Sequence, residues 1–482
     1  MKYKELSVKE FLDEVKEGNI DLEDFISEVI EEIKRINESF NYFVYISEEQ
    51  AIAQAENIKK RIKKGENGGR LLGLPISVKD CICCEGIPSR AGSKILEGYI
   101  PPFDSTAVRK IKEEGGIIIG KTSQDEFGFG SFCTNVGIGF KIPKNPFDPE
   151  RSTGGSSGGA AGITASLNYP HIALAESTGG SISCPASFCG CVGLTPTYGR
   201  VSRYGLIDFA NSLDKIGPIG KRVYDCALLL SVIAGEDNMD QTTIKQGEED
   251  YTKYLKEEKD EVKIGIPKEY FGEGVDERIS KLILNVVGSV EGMEYEECSL
   301  PYTKYGVPTY YLIALSEAST NLAKFCGMRY GLHLPLKGDF NEYFSNVRSE
   351  GLGDEAKRRI ILGTFARMKG YRDRYYIKAM KIRTMIINDF KKAFKKYDVL
   401  ITPTMPILPP KFDELSKLEL IQMYMLDLCT NPPNVAGIPH ISIPCGKIEG
   451  LPIGMQIMAD HMEERKVLVV ARKFEKELNL SG

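Results

Sequence analysis

Three short stretches carry side chains whose types and spacing suit acyl chemistry. In PISVKD, residues 75–80, Lys79 ends a run of apolar residues. An ammonium at the end of a buried strand loses hydration, which lowers a lysine pKa by up to about 3–5 units. Lys79 is therefore expected to be a neutral amine able to take a proton; the alternative is a plain ion pair with the adjoining Asp80. In STGGSSGG, residues 152–159, the glycines let a substrate approach the main chain. In Ser177-Thr178-Gly179-Gly180-Ser181, a serine sits on a glycine-flanked turn after the apolar run HIALA. Such a turn exposes a nucleophile and aims consecutive N–H groups at one carbonyl oxygen, although Gly/Ser turns are also common plain connections. A serine nucleophile needs a base. The chain has four histidines (His171, His333, His440 and His461), none in a catalytic context, so Lys79 is the better candidate. Phosphate binding fits the loop poorly. Ala160 and Ala161 stand where a Walker loop needs Lys and Ser/Thr, and NPFDPER is not the strand a dinucleotide loop requires.

These stretches need a scaffold, and the texture of the chain suggests one. Ser7 and Glu10 fit a capping box opening a first helix, and Gly18 fits its stop. Phe25, Ile26, Val29, Ile30, Ile33 and Ile36 recur at helical spacing over 22–36, and a third helix is expected over 48–64. Strand-length apolar runs follow between Gly/Pro turns: LLGLPISVKD, GGIIIGKT, HIALAEST and YGLIDFA. Helical patterns such as 105–114 separate several of them, an alternation that implies a large mixed, mostly parallel sheet with helices on both faces. Residues 240–300 are highly charged and read as a surface excursion, while 315–395 read as helical. VLITPTMPI, HISIPCG and LPIGMQIM look like returning strands before a last helix. The expected organisation is a helical arm over 1–65 and one α/β domain over 66–482, with a helical excursion at about 240–395.

Composition narrows the function classes. The 482 residues carry a formal net charge of -5, without the basic excess of a chain that coats nucleic acid or anionic membrane. No run of about 18 uncharged apolar residues is present, and the N-terminus MKYKELSVKEFLDEVKEG has no apolar signal core. A cytoplasmic location is expected. The 12 cysteines, including the cluster Cys81, Cys83 and Cys84, lack a second ligand pair at zinc spacing and are expected to be reduced thiols, with no metal site.

Together, PISVKD, GGSSGG and TGGS resemble the amidase signature family, as does PASFCGCVGLTPTYGRVSRYGLIDFANSLDKIGPIG. GSKILEGYIPPFDSTAV, DEFGFGS, PTYYLIALSEASTNLAKF, RRIILGTFA and NVAGIPHISIPCG run in the order found in its tRNA-dependent amidotransferase A subunits. The resemblance implies a Ser–cisSer–Lys triad of Ser181, Ser156 and Lys79, with the N–H groups of Thr178, Gly179 and Gly180 as the oxyanion hole. It implies a glutaminase that releases ammonia for transamidation of Glu-tRNA(Gln) or Asp-tRNA(Asn). Glutamine would be held by Arg359, or its neighbour Arg358, at the α-carboxylate and by Asp427 at the α-ammonium, with Tyr310 as a wall residue. It further implies partner subunits B and C, tRNA bound mainly by the partner, ATP and Mg used by the partner, and no cofactor in this chain. A free-standing amidase for another small amide is the alternative.

The nucleophile turn departs from the family's S-D-T-G-G-S-I-R-Q-P. It reads Glu176-Ser177-Thr178-Gly179-Gly180-Ser181-Ile182-Ser183-Cys184-Pro185, so Ser177 and Ser183 replace an Asp and an Arg. Removing one member of a buried ion pair costs roughly 3–5 kcal/mol, whereas replacing both is close to neutral. The expectation is that Asp and Arg were partners and that a Ser177–Ser183 contact replaces them.

Overall fold

The computed structural model describes residues 3–66, 68–257 and 261–478. Eleven strands form one sheet: β1 (Phe43–Ile46), β2 (Pro75–Lys79), β3 (Ile117–Thr122), β4 (Ile172–Ser177), β5 (Val192–Thr195), β6 (Lys215–Gly220), β7 (Val262–Pro267), β8 (Met293–Cys298), β9 (Val399–Pro403), β10 (His440–Ile448) and β11 (Leu451–Met458). Their order across the sheet is β1-β3-β2-β4-β6-β5-β10-β11-β9-β7-β8. The sheet is mixed, as expected, but less parallel than expected. Parallel pairing is confined to β2 with β3 and β4, and to β7 with β8 and β9; every other pair is antiparallel. β2, β3, β4, β5, β6, β9 and β11 are buried at every position, so both faces of the sheet are covered.

The two edges are short or charged. β1 is half-buried, and β8 (MEYEEC) exposes Glu294, Glu296 and Glu297, which discourage pairing with a stray strand. β1 lies inside the segment read as a helical arm, and β7 and β8 lie inside the charged excursion, so both segments also extend the sheet. YGLIDFA is not a strand. Leu206 makes an isolated bridge to Ile82, and the N–H groups of Phe209 and Ala210 are taken by the Asp214 carboxylate rather than by a neighbouring strand.

The N-terminal helices follow the sequence closely. Ser7 caps Val8–Lys16 with its capping box formed, Leu22–Phe40 buries Phe25, Ile26, Val29, Ile30 and Ile33, and Glu48–Lys63 follows. Among the described residues, no helix is long and apolar enough to cross a membrane.

Three connections position the site. β2 and β4 run parallel side by side, Val78 opposite Leu174, so Lys79 and the turn after Ser177 emerge at the same carboxyl end of the sheet. The helix Gly158–Ser166 begins just after Ser156 and packs on β2 and β4. The helix Gly306–Asn321 packs against Asp354–Arg367 so closely that a Cβ on Gly363 would lie 1.8 Å from the Leu315 carbonyl oxygen. Gly363→Ala must push these helices apart. It is expected to lower the unfolding free energy by about 1–3 kcal/mol, the usual cost of overpacking, read by chemical denaturation.

Candidate active site

Lys79 has 0% of its side chain exposed, and its Nζ donates to Ser156 Oγ at 2.7 Å, to Glu176 Oε2 at 2.8 Å and to the Glu176 carbonyl at 3.1 Å. The Gly155–Ser156 peptide is cis. Asp80 makes no pair with Lys79; its carboxylate accepts the N–H groups of Arg90 and Gly92. Ser157 joins the two serine loops, donating its N–H to the Ser181 carbonyl and its hydroxyl to the Glu176 carbonyl. Ser181 is buried on its turn, and among the described residues nothing hydrogen-bonds its Oγ. The structure thus brings Lys79, Ser156 and the Ser181 turn together.

The expected neutral lysine is corrected. Burial is the largest influence and acts to lower the Lys79 pKa, but the Glu176 carboxylate together with Cys81 and Cys133 holds the ammonium above the ordinary lysine range. Glu176 is not recognisable as a partner in the sequence, where only Asp80 adjoins Lys79. The strand register is what brings β4 beside it.

The contact expected between Ser177 and Ser183 is absent. Ser177 Oγ accepts the Gly180 N–H at 3.2 Å and donates to Asn434 Oδ1 at 3.3 Å, while Ser183 Oγ is buried without a hydrogen-bond partner. Of the three expected oxyanion donors, Gly180 is therefore already engaged. No acceptor among the described residues takes the N–H of Thr178 or Gly179. Tyr310 covers the turn: a Cβ on Gly179 would fall 2.4 Å from its ring, so only glycine fits there. No histidine serves the nucleophile. His171 bonds Ser77 and His440 lies against Asn434, and burial brings both pKa values down to about 3.

A cavity of about 230 Å³ is lined by Ser131, Tyr311, Glu355, Arg358, Arg359 and Tyr424, among others. A larger cavity of about 750 Å³, lined by Lys34, Arg90 and Lys141, holds none of the expected site residues. The neighbouring arginines differ in burial. Arg359 is 2% exposed, bonds Glu355 Oε1 at 2.7 Å, and lies over the rings of Phe129, Phe209, Tyr311 and Tyr424. Arg358 is 43% exposed, pairs with the other Glu355 oxygen and also borders the cavity. Asp427 Oδ2 accepts from Ser131 Oγ at 2.7 Å and from Tyr311 Oη at 3.0 Å. Burial raises its pKa to about 6, against those hydrogen bonds and the Arg359 charge.

Ser131, Tyr311 and Asp125 are not among the residues expected from the sequence. Asp125, buried and raised to about 6 by desolvation, accepts the N–H groups of Cys133 and Asn135 and so ties the 130–135 loop down. A signal for it exists in DEFGFGS, where two acids open an otherwise apolar and glycine-rich run. Among the described residues no cluster of His, Cys, Asp and Glu is arranged to hold a metal ion, and burial pushes the thiols of Cys81, Cys83 and Cys84 up.

Removing Arg359 leaves Glu355 buried beside an empty space. Arg359→Met is expected to cost about 3–5 kcal/mol of stability, and Arg358→Met under about 1 kcal/mol, as for a half-exposed pair, both measured by denaturant unfolding.

Comparison with known proteins agrees with this geometry. A family model described as Amidase matches residues 24–468. The second of two glutamyl-tRNA(Gln) amidotransferase A subunits of Clostridium acetobutylicum is 45% identical over 481 residues, covering 99% of this chain and 100% of that protein. The corresponding A subunit of Natranaerobius thermophilus is 43% identical and covers 100% of this chain and 97% of that protein. The crystal structure of the glutamyl-tRNA(Gln) amidotransferase A subunit from Thermotoga maritima superposes with a TM-score of 0.80 at 34% identity, covering 98% of this chain and 94% of that one. Peptide amidase from Stenotrophomonas maltophilia, 24% identical with a TM-score of 0.79 over 98% of this chain and 97% of that one, shares the fold. The chain belongs to the amidase family.

Proposed function

We propose that the chain is the glutaminase subunit of a tRNA-dependent amidotransferase. The observation that carries this reading is a pair of buried charges: Arg359, which lines a small cavity, and Asp427, whose carboxylate is bonded to two other residues of its lining, Ser131 and Tyr311. A guanidinium and a carboxylate so placed suit the two charged ends of a free amino acid. A simple amide would make use of neither charge.

In this reading Ser181 attacks the side-chain amide carbon of glutamine. Its proton passes to Ser156 and on toward Lys79, and the N–H groups of Thr178 and Gly179 receive the oxyanion. Ammonia leaves, and water releases glutamate from the acyl-enzyme. Arg359 takes the α-carboxylate, Asp427 takes the α-ammonium, and Tyr310 walls the turn. The ammonia goes to partner subunits B and C, which supply the ATP and Mg chemistry and most of the tRNA contact, in the cytoplasm. One surface supports a partner. The helix Asp354–Arg367 turns Arg359 inward yet exposes Ile361, Leu362 and Phe365 at helical spacing, an apolar outer face that a lone surface helix rarely carries. The departures at Glu176, Ser177 and Ser183 favour the second reading, a free-standing amidase for another small amide.

Ammonia release from L-glutamine, by the chain alone and with B and C subunits added, separates the two. The expected result is hydrolysis that rises with the partners and vanishes in Ser181→Ala. Cleavage of another amide, with glutamine untouched under either condition, contradicts the glutaminase reading. The pKa of about 6 at Asp427 adds a pH signature. Below pH 6 the carboxyl becomes neutral and stops attracting the α-ammonium. KM for glutamine is then expected to rise up to about tenfold per pH unit, and Asp427→Asn to show the high KM throughout.

A further inference from the structure

The three hydrogens of the Lys79 ammonium are all donated, to Ser156 Oγ, Glu176 Oε2 and the Glu176 carbonyl. An ammonium has no lone pair, so Lys79 can receive the Ser156 proton only by releasing one of its own. The acceptor in place is Glu176 Oε2, at 2.8 Å.

The other oxygen of Glu176 is also held. Thr178 Oγ1 lies 2.7 Å from Glu176 Oε1 and 2.8 Å from Asp214 Oδ1. One hydroxyl has one hydrogen and cannot donate to two carboxylates at once, so one of these acids carries a proton. Asp214 Oδ2 accepts the N–H groups of Phe209 and Ala210, and Oδ1 shares the Ala210 N–H and faces Thr178; Glu176 Oε2 already holds the Lys79 ammonium, which leaves the proton to Asp214. The hydrogen-bond pattern therefore runs from protonated Asp214 to Thr178 Oγ1, and from Thr178 Oγ1 to Glu176 Oε1. Burial and the neighbouring Glu176 both raise the Asp214 pKa well above the carboxylate range, consistent with that assignment. Glu176 stands where the family turn carries Ser, so this arrangement is specific to the chain rather than to the family motif.

We propose that Glu176 is the proton acceptor behind Lys79, and that Thr178 and protonated Asp214 are positioning residues that keep its Oε2 turned to the lysine. The proposal rests on the amidase reading above. As the Ser181 Oγ–C bond forms, the Ser181 proton moves to Ser156 Oγ, the Ser156 proton to Lys79 Nζ, and a Lys79 proton to Glu176 Oε2. When the C–N bond breaks, the same protons return along the chain and the leaving nitrogen departs as ammonia. No proton or electron is left unaccounted for.

The titratable groups facing Glu176 are Lys79 and Cys81 from β2 and the turn after it, Asp214 and Lys215 at β6, and Tyr310 from Gly306–Asn321. Cys81 and Tyr310 are pushed far above neutrality by burial, while burial brings Lys215 down to about 7.

The test is the pH profile of kcat/KM for L-glutamine, measured on the assembled protein. With Glu176 as acceptor, the wild-type acid limb belongs to a carboxyl group rather than to a lysine. In Glu176→Gln the reaction must wait for a neutral Lys79, so the limb moves to higher pH. The loss is expected to be about 10²-fold in kcat at pH 6, to shrink as pH rises, and to leave KM in place. Glu176→Asp should recover part of the loss at pH 6. Thr178→Val keeps every charge and should lose about tenfold in kcat with KM unchanged, which keeps the proposal testable if Glu176→Gln fails to fold. Lys215→Met should leave the limb where it is. A limb that stays put or moves down in Glu176→Gln, or full kcat in Thr178→Val, overturns the proposal while leaving the amidase reading intact. A wild-type protein that cleaves no amide overturns both.

Discussion

Taking the Lys79 ammonium out of water costs several kcal/mol, and the sheet is arranged so that this cost is offset at one place. The parallel register of β2 against β4 delivers Glu176 to within 2.8 Å of Nζ, and the cis-linked Ser156 loop brings a hydroxyl to 2.7 Å. The same carboxylate then constrains the residues after it in the chain. Thr178 is fixed between Glu176 and Asp214, the Ser177 hydroxyl takes the Gly180 N–H, and Tyr310 packs over Gly179. The buried charge and the shape of the nucleophile turn are thus one construction. Polar groups this deep are tolerated because each is bonded; Ser183 Oγ, left alone where the family carries an Arg, is an exception.

A second buried charge system lies around the small cavity. Arg359 is compensated by Glu355 and by the faces of four aromatic rings, and Asp427 by Ser131 and Tyr311. The helix that carries Arg359, Asp354–Arg367, begins on a cap from the core, where the Glu126 carboxylate accepts the Gly353 N–H and the Ser93 hydroxyl. Glu126 and Asp125 are adjacent, so one short run anchors both the helix bearing Arg359 and the loop bearing Ser131. That run thus ties the Arg359 helix to the 130–135 loop.

Much of this was legible in the residues. Lys79 at the end of an apolar run, two Gly/Ser loops and a shortage of histidine point to a serine–lysine centre before any coordinates are known. The capping box at Ser7 and the 3.6-residue spacing after Leu22 place the first helices to within a few residues. What escaped were relations set by register and tertiary packing. Glu176 is far from Lys79 in sequence and meets it only because β4 lies beside β2. The strand-like run at 204–210 is a loop because it pairs only through the isolated bridge at Leu206, and the Asp214 carboxylate takes the N–H groups of Phe209 and Ala210. The direction of the Lys79 pKa escaped for the same reason. Burial was visible in the sequence and the compensating charge was not.

The central claim is that Ser181, activated through Ser156 and Lys79, is the nucleophile. Mass-spectrometric mapping of a fluorophosphonate adduct on the full chain tests it most directly. The account predicts a single adduct on Ser181, lost in Lys79→Ala and in Ser156→Ala although both variants remain folded. An adduct on Ser156, or labelling of Ser181 that persists without Lys79, would contradict it.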